Sequence, residues 1–275
     1  MAITAGMVMA LRKKTGLPMM ECKQALEEAG GDEQKAIDLM RKKGMGQLSK
    51  RADRETSQGL VSCYVDSDTG QGGIVELLCE TAPVAGTEDF MNLAARITRQ
   101  AAAMDAPTPE SILEHPCLDD ASRKISDVVH DVVNRLRENV KIARVGRLTG
   151  HLGKYTHHNS QVGVLVRMSA DCPAEVRADV CMHIAAMRPQ CTRREQVDAE
   201  SVEKERQLAI EQAQGKPENI IEKIVTGKLN RWYSEIVLLE QPFVKDDKQS
   251  VGQMLMGVAP ELTVQDYLRF EVGGS

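Results

Sequence analysis

Apolar residues recur at helical spacing through the first 44 residues, in three short runs. Val8 and Leu11 share a face of the first, which breaks at Thr15-Gly16-Leu17-Pro18, with Pro18 placed to open the next helix. The second run aligns Cys22, Ala25, Leu26 and Ala29 and ends at Gly30-Gly31. Asp32 is placed to N-cap a third helix, whose Ala36, Ile37 and Met40 face inward before Gly44 stops it. Residues 45–58 are polar with little apolar periodicity and read as a linker.

After the linker the pattern turns to strands. Residues 59–65 and 73–80 are rich in Val, Ile, Leu and Tyr, and the Asp66-Ser-Asp-Thr-Gly-Gln-Gly72 stretch between them is turn chemistry, so a hairpin is predicted. Phe90, Leu93, Ala94, Ile97 and Ala101 then mark a helix, ended by Pro107 and Pro109. Ile125, Val128, Val129, Val132, Val133 and Leu136 predict another over about 119–138, before a strand over residues 142–148. The order of hairpin then helix returns at residues 153–155, 161–168 and up to Met187, which reads as an internal duplication. From about 197 to 234 the chain is charged and helical around Gly215-Lys216-Pro217. The spacing predicts an antiparallel helical hairpin arm, with Val202, Leu208 and Ile210 facing Ile220, Ile221, Ile224, Val225, Leu229 and Trp232. A short helix at residues 251–255 and an alternating strand at residues 267–272 close the chain.

With 275 residues, 42% hydrophobic and 27% charged, the chain can fill a core and has room for about two domains. No stretch approaches the roughly 18 uncharged apolar residues of a membrane helix, and the start lacks a basic flank before an apolar run. Neither a membrane span nor a cleaved signal peptide is expected, and seven scattered cysteines without a C-x-x-C pair point to free thiols in a reducing cytoplasm. Net charge is −5, yet residues 1–54 carry 11 Lys and Arg against 7 Asp and Glu, so a basic head sits on an acidic body. The acidic total and the scarcity of aromatics, 3%, count against nucleic acid as a partner.

The chemistry-bearing motifs are mostly negative. Gly153-Lys154 and Gly215-Lys216 lack both the upstream glycine and the following hydroxyl of a phosphate loop, and neither a Gly-x-Ser-x-Gly elbow nor a His-Glu-x-x-His helix is present. The nearest approach to a metal cluster is Cys181-x-His183 with Cys172 and Cys191, but positions two apart on a helix point to different faces. No cofactor, metal or catalytic residue is expected. Three features remain. Met19 and Met20 begin the second helix beside Glu21 and Lys23, and flexible thioethers there suit either a docking surface or the core of the small module. Cys79-Glu-Thr81-Ala82-Pro83-Val84 leaves a strand and breaks at a proline, as a functional loop or an ordinary connection would. Tyr155-Thr-His157-His158 puts imidazoles at a hairpin tip, fit for contact with a partner or idle in solvent.

Leu11-Arg-x-x-Thr15-Gly16-Leu-Pro-Met19-Met20-Glu-Cys22-Lys23-x-Ala25-Leu26 closely resembles the N-terminal signature of the elongation factor Ts family. Leu39-Met-Arg41-Lys-Lys-Gly44, Glu76-Leu-Leu-Cys79-Glu-Thr81, Gly163-Val-Leu-Val166, Met182-His183-Ile-Ala185-Ala186, Gly215-Lys-Pro217, Gln241-Pro-Phe-Val244 and Arg269-Phe270-Glu-Val272 follow in the family's order. The resemblance covers essentially the whole chain. It implies an α+β fold with a ubiquitin-associated-like three-helix module and linker (1–54), and a core of two related subdomains (55–147 and 148–275) with the arm inserted in the second. It also implies a guanine-nucleotide exchange factor, not an enzyme, acting in the cytoplasm on the GTPase elongation factor Tu. Docking then falls to Arg12, Met19, Met20 and Lys23, and core contacts to residues Thr81, Ala82, Pro83, Val84 and His157, the last at the family's Tyr-x-His position. The family's core motif reads Thr-Asp-Phe-Val, with Asp and Phe entering the GTPase; here the stretch is Thr81-Ala82-Pro83-Val84. The C-terminal module that some members use is also not expected.

Four functions are thereby ordered. Exchange on elongation factor Tu leads. A scaffold that binds the same GTPase with weak exchange, lacking the Asp-Phe pair, is the alternative. A basic-headed RNA or ribosome binder and a metal enzyme at Cys181 and His183 follow. The arm is also a candidate for self-association.

Overall fold

The computed structural model describes residues 2–51 and 53–274. The chain is mixed α and β and divides into two compact units. The first joins Met1–Ser62, Val75–Val145 and Glu271–Ser275; the second joins Cys63–Ile74 and Gly146–Phe270.

The first unit begins with three helices: α1 (Ala5–Thr15), α2 (Met19–Glu28) and α3 (Glu33–Arg51). Thr4 caps α1 by accepting from Met7 N, and Asp32 Oδ1 accepts from Lys35 N at 3.0 Å at the start of α3, as its position predicts. Val8, Leu11, Cys22, Ala25, Leu26, Ala36 and Met40 close a small core, the stripes read from the sequence. The third helix does not stop at Gly44. It runs to Arg51 and takes up the first half of the expected linker, because a glycine inside a helix costs only about 1 kcal/mol against alanine and the following Gln, Leu, Lys and Arg are good helix formers.

Strands β1 (Gln58–Asp66) and β2 (Gln71–Cys79) form the predicted hairpin. Asp66 Oδ1 accepts from Asp68 N and Thr69 N in the turn. Then come α4 (Ala82–Ala85), α5 (Glu88–Ala103), α6 (Pro109–Glu114), α7 (Ile125–Leu136) and β3 (Val140–Thr149), with sheet order β1-β2-β3. Pro109 opens α6 instead of ending the unit, since Thr108 and Ser111 cap it reciprocally and a proline at the first helical position lacks only an N–H with no partner to lose. Phe90, Leu93, Ile97, Ile125, Val129 and Val132 pack with Val75 and Leu77 into one core. A nearly buried Glu76 ties the C-terminus to this unit: Oε2 accepts from Arg144 Nε at 2.6 Å and Oε1 from Gly273 N at 2.9 Å, while Arg144 Nη2 donates to Glu271 O.

The second unit contains β4 (His151–Thr156), β5 (Val162–Met168), α8 (Ala174–Met187), the arm α9 (Ala199–Gln212) and α10 (Glu218–Ile236), a small hairpin β6 (Pro242–Phe243) and β7 (Asp246–Ser250), α11 (Val251–Val258) and β8 (Val264–Glu271). Its sheet order is β4-β5-β8, with β4 and β5 antiparallel from His151↔Met168 to Thr156↔Gly163. In the arm, Ala209 with Val225 and Leu229 forms the seam, while Leu208, Ile210 and Ile220, expected inside, lie exposed. Ala209 is the buried residue of α9, a small side chain that lets the two helices approach closely.

Cys181 lies in the core of this unit and forms no site with His183. Val244 N donates to His183 Nδ1 at 3.1 Å, so Nε2 carries the proton and donates to Gln241 Oε1 at 3.0 Å. Gln241 Nε2 in turn donates to Glu235 O and Met187 O. Burial holds His183 below its ordinary value of 6.5, with the Gln241 hydrogen bond pulling the other way. Stability from the neutral ring is therefore complete above pH 6.5 and is lost as pH falls toward the lowered folded value. Thermal unfolding at pH 7.5 and 5.5 checks this: the midpoint should drop at the lower pH, and by less in His183→Gln. An equal drop in both proteins would contradict it.

Candidate functional site

The head presents its surface through one turn. Gly16 closes α1 at φ +71, its N–H donating to Arg12 O at 2.8 Å. A Cβ there would adopt a conformation L residues avoid and would stand 2.4 Å from Arg135 Cδ of α7, so the position excludes side chains twice over. Thr15 Oγ1 donates to Leu11 O and accepts from Leu17 N, and the buried Cys22 thiol donates to Leu17 O. The turn thus joins the last turn of α1, where Arg12 is exposed, to the first turn of α2. There Met19 is 46% and Met20 72% exposed, and Lys23 lies 3.8 Å from Glu27. Neither methionine fills the core.

Residues 81–84 do not break at Pro83. Thr81 takes the N-cap position and Pro83 sits in the first turn of α4, where its missing N–H is no loss. Thr81 does not cap with its own side chain. Its hydroxyl donates to Glu138 Oε1 at 2.6 Å, and Glu138 Oε2 accepts from Glu80 N and Thr81 N at 3.1 and 3.0 Å. The Cys79 thiol, pushed up to about 11 by burial and by the Glu138 charge, stays protonated and donates to Thr81 O. Thr87 Oγ1 donates to Val84 O. Val84 packs on the core, while Thr81, Ala82 and Pro83 are exposed.

Glu138 belongs to a three-residue turn after α7 that sequence spacing gave no means of finding. Arg137 adopts φ +64 and pairs with Glu21 of α2, next to Met20. Asn139 N donates to Glu80 Oε1 at 2.7 Å and Asn139 Nδ2 to Arg54 O at 2.9 Å. Three consecutive residues therefore tether the head, the chain after α3 and the 80–84 turn. Arg12, Met19, Met20, Lys23 and residues 81–84 belong to the first unit; His157 belongs to the second.

His157 starts the tight β4–β5 turn, its N–H donating to Val162 O. Asn159 Oδ1 accepts from Gln161 N and, at 2.9 Å, from His157 Nδ1. The His158 ring stands 4.2 Å away, tilted by 45°. Among the described residues no group of three or more His, Cys, Asp or Glu could hold a metal ion, and no helix is long and apolar enough to cross a membrane.

The family model described as Elongation factor TS matches residues 80–274. The chain is 39% identical to elongation factor Ts of Aquifex aeolicus (strain VF5), over 100% of this chain and 99% of that one. It is 40% identical to elongation factor Ts of Prosthecochloris aestuarii, covering 98% and 99%. Against that of Clostridium botulinum (strain ATCC 19397 / Type A) identity is 36%, covering 98% and 92%.

The exposure of Met20 and the burial of Leu26, 1% exposed, predict opposite costs on one helix. In thermal or denaturant unfolding, Met20→Ala should stay within about 0.5 kcal/mol of wild type, and Leu26→Ala should lose about 2–5 kcal/mol. A large loss at Met20 would place it in the core after all.

Proposed function

We propose, from the premise that the chain belongs to the elongation factor Ts family, that it is the exchange factor for elongation factor Tu, releasing GDP from that GTPase during translation elongation in the cytoplasm. It acts by binding and not as an enzyme. The observation that carries this reading is the family match along the whole chain, and the exposed Met19 and Met20 beside a rigid turn supply a surface that suits it. Arg12, Met19, Met20 and Lys23 dock the head on the GTPase domain. Residues 81–84 and His157 press toward the Mg²⁺ and phosphate site. The arm, with Leu208, Ile210 and Ile220 exposed, reaches another part of the GTPase; pairing with a second copy is the competing use of that face.

No proton transfer or nucleophile is needed. A factor that binds the nucleotide-free GTPase better than the GDP form weakens GDP by the same factor that GDP weakens it. The contact has only to disturb the Mg²⁺ ligands and the backbone around the β-phosphate. Thr81 contributes through its backbone, since its hydroxyl is taken by Glu138.

The second reading, a scaffold with weak exchange, draws on Ala82 and Pro83 standing where the family places Asp and Phe. A buried Phe anchor can be worth about 2 kcal/mol or more. Stopped-flow release of fluorescent GDP from elongation factor Tu separates the two. Exchange predicts release faster by orders of magnitude, reduced in Met20→Ala through weaker docking and in His157→Ala through a slower maximal rate. Binding without acceleration would replace exchange by the scaffold.

A further inference from the structure

We propose that Glu138 is the positioning residue of the 80–84 turn, fixing the backbone that presents Ala82 and Pro83 to the GTPase; the proposal rests on the exchange reading above. The need arises from the turn itself. Helix α4 has only four residues, far below the length at which a helix holds itself together in water. Its N-cap residue makes no capping bond of its own. Ala82 and Pro83 carry no polar side-chain group, and Pro83 has no N–H, so their side chains cannot adjust to a partner by hydrogen bonding. Whatever this surface does, it does by where its backbone stands.

One carboxylate supplies that placement. Glu138 takes three donors at once, the amides of Glu80 and Thr81 and the Thr81 hydroxyl. Bonds to an ionised acceptor are roughly twice as strong as neutral ones, and a negative charge at the start of a helical turn is favoured by the peptide dipoles. The carboxylate is aimed by its neighbours: Arg137 turns the chain at φ +64, and Asn139 N is held by Glu80 Oε1. The grip is therefore reciprocal, Glu138 on the amides of 80 and 81 and Glu80 on the amide of 139. With short side chains at 82 and 83, a displacement that a long side chain would absorb is passed in full to the partner.

The test is Glu138→Gln in the full chain, which keeps size and puts an amide where three donors converge. Stopped-flow GDP release is measured against factor concentration, beside thermal unfolding and amide hydrogen exchange of the free protein. The expected result is a maximal release rate lower by about tenfold or more. The half-saturating concentration, set by the head, should stay within about twofold, and hydrogen exchange should quicken at residues 80–87 alone. Glu138→Asp, which keeps the charge on a shorter stem, should recover part of the rate. A variant with the wild-type maximal rate overturns the proposal. So does one whose rate and half-saturation worsen together with a lowered unfolding midpoint, because that is general loss of structure. If the wild type itself fails to accelerate release, the exchange reading falls separately, and the hydrogen-exchange comparison still decides: faster exchange confined to 80–87 sustains Glu138 as the holder of the turn, and unchanged exchange overturns it.

Discussion

Arg137 ends α7 in the left-handed region, a conformation an L residue adopts only at a cost of about 1 kcal/mol, and the geometry of the first unit hangs on the turn it makes. A chain that continued straight would carry Glu138 and Asn139 away from the strand end at Glu80. Turned back, Arg137 meets Glu21 on the head, Glu138 meets the amides of Glu80 and Thr81, and Asn139 reaches Arg54. A three-helix module of about 50 residues buries too little apolar surface to be more than marginal alone, and a four-residue helix cannot persist alone. Both borrow rigidity from α7, whose apolar stripe of Ile125, Val128, Val129, Val132 and Val133 anchors it in the core. Gly16 completes the borrowing on the head side, where the Arg135 stem occupies the space a side chain would need.

Rigidity of this kind is what exchange by binding asks for. Free energy spent ordering a surface on contact is subtracted from the difference in affinity between the nucleotide-free and GDP-bound partner. The head offers two methionines, adaptable thioethers suited to a hydrophobic groove, on a frame fixed by backbone and side-chain bonds around Gly16. The 81–84 turn offers small side chains on a clamped backbone. In the proposed exchange mechanism the first patch would supply affinity and the second precision.

Much of this was legible in the sequence, for identifiable reasons. Helical period alone picks out Val8, Leu11, Leu26 and Met40, and Asp32 announces its helix, because those signals are local. The recurring order of hairpin then helix at residues 153–155 and 161–168 locates β4 and β5. The failures share a cause too. Gly44 and Pro109 are punctuation only when tertiary context agrees, and here α3 runs on while α6 begins. In the arm the larger residues Leu208 and Ile210 lie exposed, and the small Ala209 between them is the packing residue. Glu138 could not have been found, since its partners lie 57 and 58 residues earlier and a glutamate after a helix has no periodicity to betray it. The resemblance marked Thr81 as a contact residue, and in the structure its hydroxyl is engaged by Glu138.

The central claim is that this chain acts by differential affinity, and a thermodynamic box tests it most directly. Titration calorimetry would measure binding of the chain to nucleotide-free and to GDP-bound elongation factor Tu, and of GDP to the GTPase with and without the chain. The account predicts tighter binding to the nucleotide-free form and a weakening of GDP by the same ratio. Equal affinity for the two forms, with GDP affinity unchanged by the chain, would contradict it.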